Sequence, residues 1–331
     1  MIFAALFLIL FSHSAQTVSS SPAASSKIYL PLVTNNSTNG PTLGGCPMFP
    51  ANNVWNARVD SLPVDSHSAT YINFIGASTT LHPDFGSAYW AGGPIGIPYA
   101  TVPSTQTAVA INYIEFGSES DPGPFPIPPT APVEYGGDHH VLIVQRGACY
   151  LYELYHAALL PNASWNAGSG AKYNLNSNAL RPAGWTSADA AGLPMLPGLA
   201  RYDEVAAGEI RHAIRFTVRD TNGTYIWPAR HLTGCDPANC ATAPPMGQRF
   251  RLKSSFNIST FSRDTQVILT AFKRYGIIIA DNGSDWYIGG APDARWDDGT
   301  LVDEFNLVHG SDFEAVDESS LMLDPNSGQV K

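Results

Sequence analysis

Two acidic residues and a histidine stand near matching ends of two short apolar runs. Residues 136–154 read GGDHHVLIVQRGACYLYEL, with Asp138 and His140 before the first run and Glu153 late in the second. If residues 146–147 form a two-residue turn, the runs pair as an antiparallel hairpin and His140 lies directly opposite Glu153. Asp138 and Glu153 are then diagonal neighbours on one face. Their carboxyl groups can approach the separation of about 5–5.5 Å found in retaining glycosidases.

This arrangement predicts acid–base chemistry at a glycosidic bond. One carboxyl group, whose pKa is raised by burial and by its neighbour, donates a proton to the leaving oxygen. The other carboxylate attacks or stabilises the sugar carbon, and His140 orients the pair. The alternative is structural, because an acid and a histidine at a strand end also form local ion pairs. A three-residue turn would place Asp138 and Glu153 on opposite faces.

A second cluster of acid and histidine lies at residues 81–86, which read LHPDFG. His82 and Asp84 are two residues apart in a segment that the intervening proline keeps extended, so both side chains share a face. With Asp138 and His140 they form a candidate metal site of histidine and carboxylate ligands. The hydrolytic chemistry requires no cofactor, and a proline turn with a hydrogen-bonded histidine is the alternative interpretation.

Aromatic residues in loop-like surroundings are the candidates for substrate contact. Trp90, Trp165 and Trp185 lie near Gly, Asn, Pro or Arg residues, and Tyr155 closely follows the second acid. Aromatic rings combine an apolar face with a polar edge and can stack on the C–H faces of sugars. We therefore predict these four residues as substrate platforms, with a place in the core as the alternative for each ring.

Composition and charge narrow the classes of partner. The chain has 331 residues, a formal net charge of −10 and no run of Lys or Arg. Nucleic acids and anionic membranes bind basic surfaces, so both are disfavoured. The sequence has no nucleophile elbow, P-loop, dinucleotide-binding glycine motif or His-Glu-x-x-His pair, which disfavours serine hydrolases, nucleotide enzymes and zinc proteases. We expect a polysaccharide or cell-wall glycan as the partner, and a monomer.

The N-terminus and the cysteines indicate export. An apolar run at 2–11 followed by small residues predicts a signal peptide over 1–15, hence a secreted protein with no membrane association after cleavage; a retained membrane anchor is the alternative. Four cysteines in such a chain predict disulfides, with zinc as the alternative. Cys235 and Cys240 close a small loop, and Cys46–Cys149 follows by elimination. Composition divides the chain into a disordered linker (16–43), a single domain (44–317) and a polar tail (318–331).

The predicted elements are mostly strands with Gly or Pro at their borders. Helices are fewer, and they are recognised by capping residues and by apolar spacing. Strands are predicted at 107–116, 139–145, 149–156, 213–218, 249–253, 277–280 and 286–289, and helices at 66–75, 203–210, 265–275 and 301–308. This pattern predicts a mainly β fold, a two-sheet β-sandwich or jelly roll with a few short peripheral helices.

Several stretches carry a resemblance to a group of exported proteins. They include SDPGPFPIPP, DHHVLIVQRGACYLYEL, LRPAGWTSADAAGLPMLPGLARYDEVAAGEIRHAIRFTV and RYGIIIADNGSDWYIGGAPDARWDD. The resemblance covers most of residues 53–317 and implies that this span is one unit. The resemblance implies no particular activity and identifies no catalytic residues.

Three functions remain open on the sequence. The first is a secreted, endo-acting glycoside hydrolase that uses Asp138 and Glu153. The second is a non-catalytic carbohydrate-binding or cell-surface module that uses the same aromatic residues. The third is a polysaccharide lyase in which His140 or Tyr155 removes a proton, although an acidic chain offers few basic groups to neutralise uronic acids.

Overall fold

The folded unit begins earlier than the composition predicts. A computed structural model describes residues 40–90 and 92–331, and the described residues belong to one compact unit. The predicted signal peptide and most of the predicted linker lie outside the described residues. Pro41 is buried and Thr42–Leu43 pairs with Cys46–Pro47 as a short hairpin. The last residues of the predicted linker therefore belong to the fold.

The described part of the chain is mainly β with few helices, as the sequence predicts. Its strands are β1 (Thr42–Leu43), β2 (Cys46–Pro47), β3 (His82–Asp84), β4 (Tyr89–Trp90), β5 (Gly93–Pro94), β6 (Tyr99–Val102), β7 (Ile111–Tyr113), β8 (Val141–Gln145), β9 (Tyr150–Tyr155), β10 (Ala158–Leu159), β11 (Trp165–Ala167), β12 (Ser169–Asn174), β13 (Ile214–Val218), β14 (Arg249–Leu252), β15 (Ile277–Asn282), β16 (Tyr287–Gly289) and β17 (Phe313–Ala315). Its α-helices are α1 (Ser68–Ile75), α2 (Tyr202–Ala207), α3 (Arg263–Arg274) and α4 (Asp298–Phe305). Single 3₁₀ turns occur at Val54–Asn56, Gly117–Glu119, Leu196–Gly198, Gly310–Asp312 and Ser319–Leu321.

Local sequence signals place most of these elements. The predicted helix at 301–308 begins three residues earlier, because the Asp297 side chain caps α4 by accepting from the Thr300 N–H at 3.1 Å. The predicted strand at 107–116 is strand only over β7, and Val109 forms an isolated bridge with Phe125 instead. The other strand predictions agree with β8, β9 and β13–β16 within a few residues.

Two larger sheets organise the chain. One has the order β12-β9-β8-β6 and the other β17-β14-β15-β13-β16-β3. The strand pairs β6/β8, β13/β15 and β3/β16 run parallel, which differs from the antiparallel pairing of a jelly roll. A smaller sheet has the order β10-β11-β7.

Both larger sheets contribute to one hydrophobic core. This core includes Leu142, Val144 and Leu151 from the four-stranded sheet and Phe216, Phe250 and Ile288 from the six-stranded sheet. The opposite face of the four-stranded sheet packs in a second cluster with Phe125 and Trp165. Because both faces of β8 are covered, its VLIV run is apolar throughout rather than alternating.

An irregular segment runs through the core between β12 and α2. Residues 186–189 and 191–201 are all buried, although loops normally lie on the surface. Buried backbone groups without regular pairing need other partners. Ala191 N–H donates to the Ala280 carbonyl at 2.9 Å, and Ala200 N–H donates to the Gly289 carbonyl at 3.1 Å. Residues 186–201, called the buried connection below, are thus held against the six-stranded sheet.

Both predicted disulfides are present. Cys46–Cys149 joins the N-terminal hairpin to the loop between β8 and β9, and Cys235–Cys240 closes a short loop. Disulfides of this kind indicate an oxidising environment. Across the described residues, no helix has the length and apolar character needed to cross a membrane.

The C-terminal segment 318–331 is part of the fold and not a polar tail. Glu318 is buried and forms an ion pair with Arg249, with 3.2 Å between Oε2 and Nε. The Val54 N–H donates to the Gly328 carbonyl at 2.7 Å, and Arg230 Nη1 donates to the Pro325 carbonyl at 2.6 Å. These contacts could not be predicted from the polar composition of the segment, because its partners lie elsewhere in the sequence.

Deletion of residues 318–331 should therefore destabilise the whole unit. It would leave the Arg249 guanidinium buried without its carboxylate, a change that costs about 3–5 kcal/mol in other proteins. The measurement is the free energy of unfolding by chemical denaturation, with deletion of the exposed Lys331 alone as control. Equal stabilities of the two truncated proteins would contradict the assignment.

Candidate functional site

A cleft of about 500 Å³ opens beside the buried connection. It is lined by Asp138 and Tyr155, by residues 186–190 of the buried connection, and by residues 231–234 with Asp281 and Asn282. The volume lies within the range of about 300–1,000 Å³ that is usual for ligand pockets. These residues, together with Phe116 and Ser169, are called the cleft below.

Asp281 is the most unusual acid of the cleft. It lies at the end of β15, is partly accessible, and accepts hydrogen bonds from the N–H groups of Ala190 (3.2 Å) and Asn282 (2.7 Å). Burial, and next the Asp189 carboxylate, raise the pKa of Asp281 to about 7. A protonated carboxyl group is therefore available in the cleft at neutral and weakly acidic pH.

Asp189, the carboxylate next to Asp281, forms a buried ion pair with Arg215. Arg215 Nε donates to Asp189 Oδ2 at 2.8 Å, and Nη2 contacts Oδ1. The Arg215 side chain crosses Gly289, where an added Cβ would lie 2.8 Å from Arg215 Cγ. Because the guanidinium needs that space, only glycine fits at position 289.

Asp138 and Tyr155 also line the cleft. Asp138 is exposed, and its carboxylate makes no hydrogen bond or ion pair with any described residue. Burial raises the pKa of Tyr155, and the carboxylates of Asp138, Glu115 and Asp281 raise it further. The Tyr155 phenol therefore lies in the electric field of both cleft acids, Asp138 and Asp281.

The hairpin that carries the sequence-based prediction has a different register. Gln145 pairs with Tyr150, so four residues, 146–149, connect the strands instead of two. Glu153 consequently lies opposite Leu142 and not opposite His140. The two-residue turn is wrong because Cys149 adopts a φ of 54° and is fixed by its disulfide to Cys46.

Glu153 is an internal anchor and does not line the cleft. Its carboxylate is fully buried and accepts from the N–H groups of Met195 (3.0 Å to each oxygen) and Leu196 (2.9 Å). Burial raises its pKa to about 7. Glu153 therefore cannot reach a substrate in the cleft. The predicted catalytic pair of Asp138 and Glu153 is wrong, because the Glu153 carboxyl group binds the backbone of the buried connection.

His140, which directly precedes β8, anchors the same connection at another point. Its Nε2–H donates to the Ala188 carbonyl at 3.0 Å, and its Nδ1–H donates to the Glu134 carboxylate. Since both partners are acceptors, both ring nitrogens carry hydrogens. Glu134 opposes the effect of burial and raises the pKa of His140 to about 9. His140 is therefore a buried cation and does not orient a catalytic pair.

The predicted platforms are dispersed. Tyr155 lines the cleft, whereas Trp165 is only 1% exposed and belongs to the second core cluster. Trp185 is half-buried beside Arg181, 5.5 Å from the guanidinium, and does not line the cleft. Trp90 is 72% exposed on the β4/β5 hairpin. The interpretation of Trp165 as a platform is wrong, because the ring fills the core.

The predicted metal ligands do not assemble either. The His82 ring stacks on Tyr287 with 4.1 Å between centroids, and both nitrogens of His140 are used in hydrogen bonds. Burial raises the pKa of Asp84, and Glu134 and Asp138 are among the nearby charges that add to it. No three His, Cys, Asp or Glu side chains within 40–90 and 92–331 are placed to share an ion.

Sequence reasoning missed Glu134, Asp189, Arg215 and Asp281. A signal existed for Asp281, since it directly follows the apolar strand residues 277–280. An acid at the end of a buried strand is a position from which ligands are often bound in sheets with parallel pairs. Nothing comparable marks Asp189, whose role depends on the path of the buried connection.

Comparison with known proteins adds nothing to this geometry. No protein-family model, curated protein or solved structure matches the chain. The functional conclusions therefore rest on the cleft and on the groups around it.

The substitution Glu153→Gln should change how stability depends on pH. Folded Glu153 keeps its proton up to about pH 7, whereas the ordinary value is 4.5. The folded state then binds more protons between these values, so the free energy of unfolding falls as pH rises through this window. Glutamine removes this contribution, which is on the order of 1–3 kcal/mol.

The measurement is the unfolding free energy of the wild type and Glu153→Gln from pH 4.5 to 7.5. Asp303→Asn, an exposed site on α4, is the control and should keep the wild-type slope. Slopes that are equal in the wild type and Glu153→Gln would show that the buried carboxyl group does not hold its proton.

Proposed function

We propose that the chain is a secreted, endo-acting glycoside hydrolase in which Asp281 is the general acid and Asp138 the second carboxylate. The observation that carries this proposal is a partly accessible carboxyl group of raised pKa in a cleft that also presents a carboxylate without a partner. Two titratable groups in different environments are the usual basis for dividing acid and base roles. Asp281 takes the place that the sequence suggests for Glu153.

The residues would divide the chemistry as follows. Protonated Asp281 donates its hydrogen to the glycosidic oxygen as the bond to the anomeric carbon breaks. Asp138 either attacks that carbon or removes a proton from an attacking water, which are the retaining and inverting routes. In the retaining route, the Asp281 carboxylate then takes a proton from the water that releases the sugar. The Tyr155 hydroxyl, which lines the same cleft, would hydrogen-bond the sugar.

Architecture and localisation are part of the same proposal. A core shared by the two larger sheets supports a two-sheet sandwich. The disulfides fit an oxidising compartment, and the signal peptide predicted over 1–15 would bring the chain there. We expect a monomer with a polysaccharide as its partner.

Product analysis tests the catalytic assignment. The full chain would be incubated with neutral and acidic polysaccharides, alongside Asp281→Asn, Asp138→Asn and the control Asp303→Asn. The wild type and Asp303→Asn should release oligosaccharides detectable by mass spectrometry. The two cleft variants should lose about 100-fold or more of the rate, as expected for removal of an acid or base.

The alternatives give different outcomes in the same experiment. Products lighter by one water for each cleavage would indicate a lyase. Retained glycan binding with no products from any of the proteins would exclude hydrolysis. That result would favour a binding module in which Tyr155, Trp90 and Trp185 contact the glycan.

The role of Asp281 as an acid also predicts a pH profile. The rate of polymer hydrolysis should decrease as the pH rises through about 7, because Asp281 loses its proton there.

An activated aryl glycoside of the same sugar needs no proton on its leaving group. Asp281→Asn should therefore retain most activity on the aryl glycoside in the step that breaks the glycosidic bond. An equal loss on both substrates would assign Asp281 another role.

A further inference from the structure

Two large aromatic side chains, Trp90 and Tyr135, are exposed outside the cleft. Trp90 in β4 is 72% exposed, and Tyr135, in the loop before β8, is 49% exposed. An aromatic side chain removes about 150–250 Å² of surface from water when it is buried, so leaving such rings in water forgoes a large stabilisation. Exposed aromatic groups are therefore candidates for binding a partner.

The Tyr135 side chain lies on the glycines of the β4/β5 hairpin. A Cβ added to Gly93 would lie 1.9 Å from Tyr135 Cγ, and one added to Gly92 would lie 2.8 Å from the phenol oxygen. Gly93 is the cross-strand partner of Trp90, and side chains at such positions share a face and start about 4.5–5.5 Å apart. Tyr135 thus takes the side-chain position opposite Trp90, and these two residues are called the aromatic strip below.

The hairpin is fixed at its base. Asp298, in the first turn of α4, accepts from the N–H groups of Ser87 (2.6 Å) and Ala88 (2.7 Å). The Ile95 N–H donates to the Ala88 carbonyl at 3.2 Å and closes the hairpin. A surface that is already ordered loses little conformational entropy when a ligand binds, so this anchoring favours binding by the aromatic strip.

The loop that carries Tyr135 also carries Asp138 of the cleft. The Glu134 N–H donates to the His140 carbonyl at 2.9 Å and closes the loop 134–140. The His156 N–H donates to the Asp138 carbonyl at 2.7 Å and ties the loop to the end of β9. Tyr135 and Asp138 are therefore held in one anchored loop.

The path between the aromatic strip and the cleft is short. Tyr135 and Asp138 are three residues apart, so their Cα atoms lie no more than about 11 Å from each other. Gly136 and Gly137 between them are exposed, and a Cβ added to either would meet no heavy atom of the described residues within 4 Å, its chain neighbours aside. The loop thus places no side chain between Tyr135 and the cleft residue Asp138.

We propose that Trp90 and Tyr135 form a subsite for the polysaccharide chain that occupies the cleft, by stacking on the C–H faces of its sugar rings. The inference rests on the proposed function for the class of ligand, and on the aromatic strip for the place of binding. Two rings present at most about 500 Å², whereas a stable protein interface covers about 800 Å² on each partner. The area therefore favours a sugar chain over a protein.

Affinity electrophoresis of the full chain tests the subsite. The gels contain hydroxyethylcellulose, arabinoxylan, galactomannan or soluble starch, and at least one polymer should retard the wild type. Trp90→Ala and Tyr135→Ala should each raise the dissociation constant for that polymer about tenfold, as expected for the loss of an aromatic anchor. Trp90→Phe keeps a stacking face and should retain most of the affinity. Circular dichroism checks the fold of each variant.

Tyr89 provides a matched control in the same hairpin. It is also 72% exposed, but successive side chains of a strand point to opposite faces, so it lies on the other face from Trp90. Tyr89→Ala should therefore bind as the wild type does. Equal weakening by Tyr89→Ala and Trp90→Ala, unchanged binding of Trp90→Ala, or no retardation of the wild type in any gel would overturn the inference.

Activity measurements separate this inference from the hydrolase proposal. On the polymer that binds, Trp90→Ala should raise KM about tenfold and leave kcat unchanged, because the stacked sugar is held equally in the ground and transition states. Cleavage by Trp90→Ala with the wild-type KM would overturn the subsite while the proposed function stands. Retardation that depends on Trp90 and Tyr135, with no products from any polymer, would support the subsite and overturn the hydrolase.

Discussion

The buried ion pair between Asp189 and Arg215 is the interaction on which the site depends. It ties the irregular connection between the sheets to β13, and both its partners are almost completely enclosed. Removing one partner of such a pair leaves an uncompensated charge in the protein interior, which costs about 3–5 kcal/mol. Its carboxylate is also the neighbour that, after burial, does most to raise the pKa of Asp281. The Asp189–Arg215 ion pair therefore fixes the path of the chain and also places the carboxylate that raises the pKa of Asp281.

The same connection explains why two residues with catalytic chemistry serve as anchors. A long buried segment without regular pairing must satisfy its backbone groups, and polar side chains of the neighbouring sheet can supply the partners. Glu153 accepts from the amides at one point of the segment, and His140 donates to a carbonyl at another. Glu153 lies in β9 of the four-stranded sheet and His140 directly precedes its strand β8, so the connection is held by this sheet as well as by the six-stranded one.

The difference between an anchor and a reacting group is one of access. Glu153 and Asp281 both have a pKa raised to about 7 by burial, and both accept backbone hydrogen bonds. Glu153 is sealed behind the connection, whereas Asp281 reaches a cleft of about 500 Å³. A raised pKa by itself marks a strained electrostatic environment, and only a route for the substrate makes it useful in catalysis.

Much of the fold could be predicted from local sequence. The apolar runs of β8, β9 and β13–β16, the capped helices and the two disulfides all follow from patterns within a few residues or from the count of cysteines. The packed C-terminal segment could not be predicted, since the Glu318 partner Arg249 lies far away in the chain and its composition resembles an exposed tail.

The site shows the same division. The sequence by itself determined that acids and histidines stand beside the apolar strands, because residue types and alternation are local properties. The tertiary structure alone decided which of them share a cleft. A turn of four residues instead of two moved Glu153 past His140, and the path of the buried connection then enclosed both and left Asp138 and Asp281 lining one cleft. Register and long-range packing depend on the whole core, so no short stretch of residues contains that information.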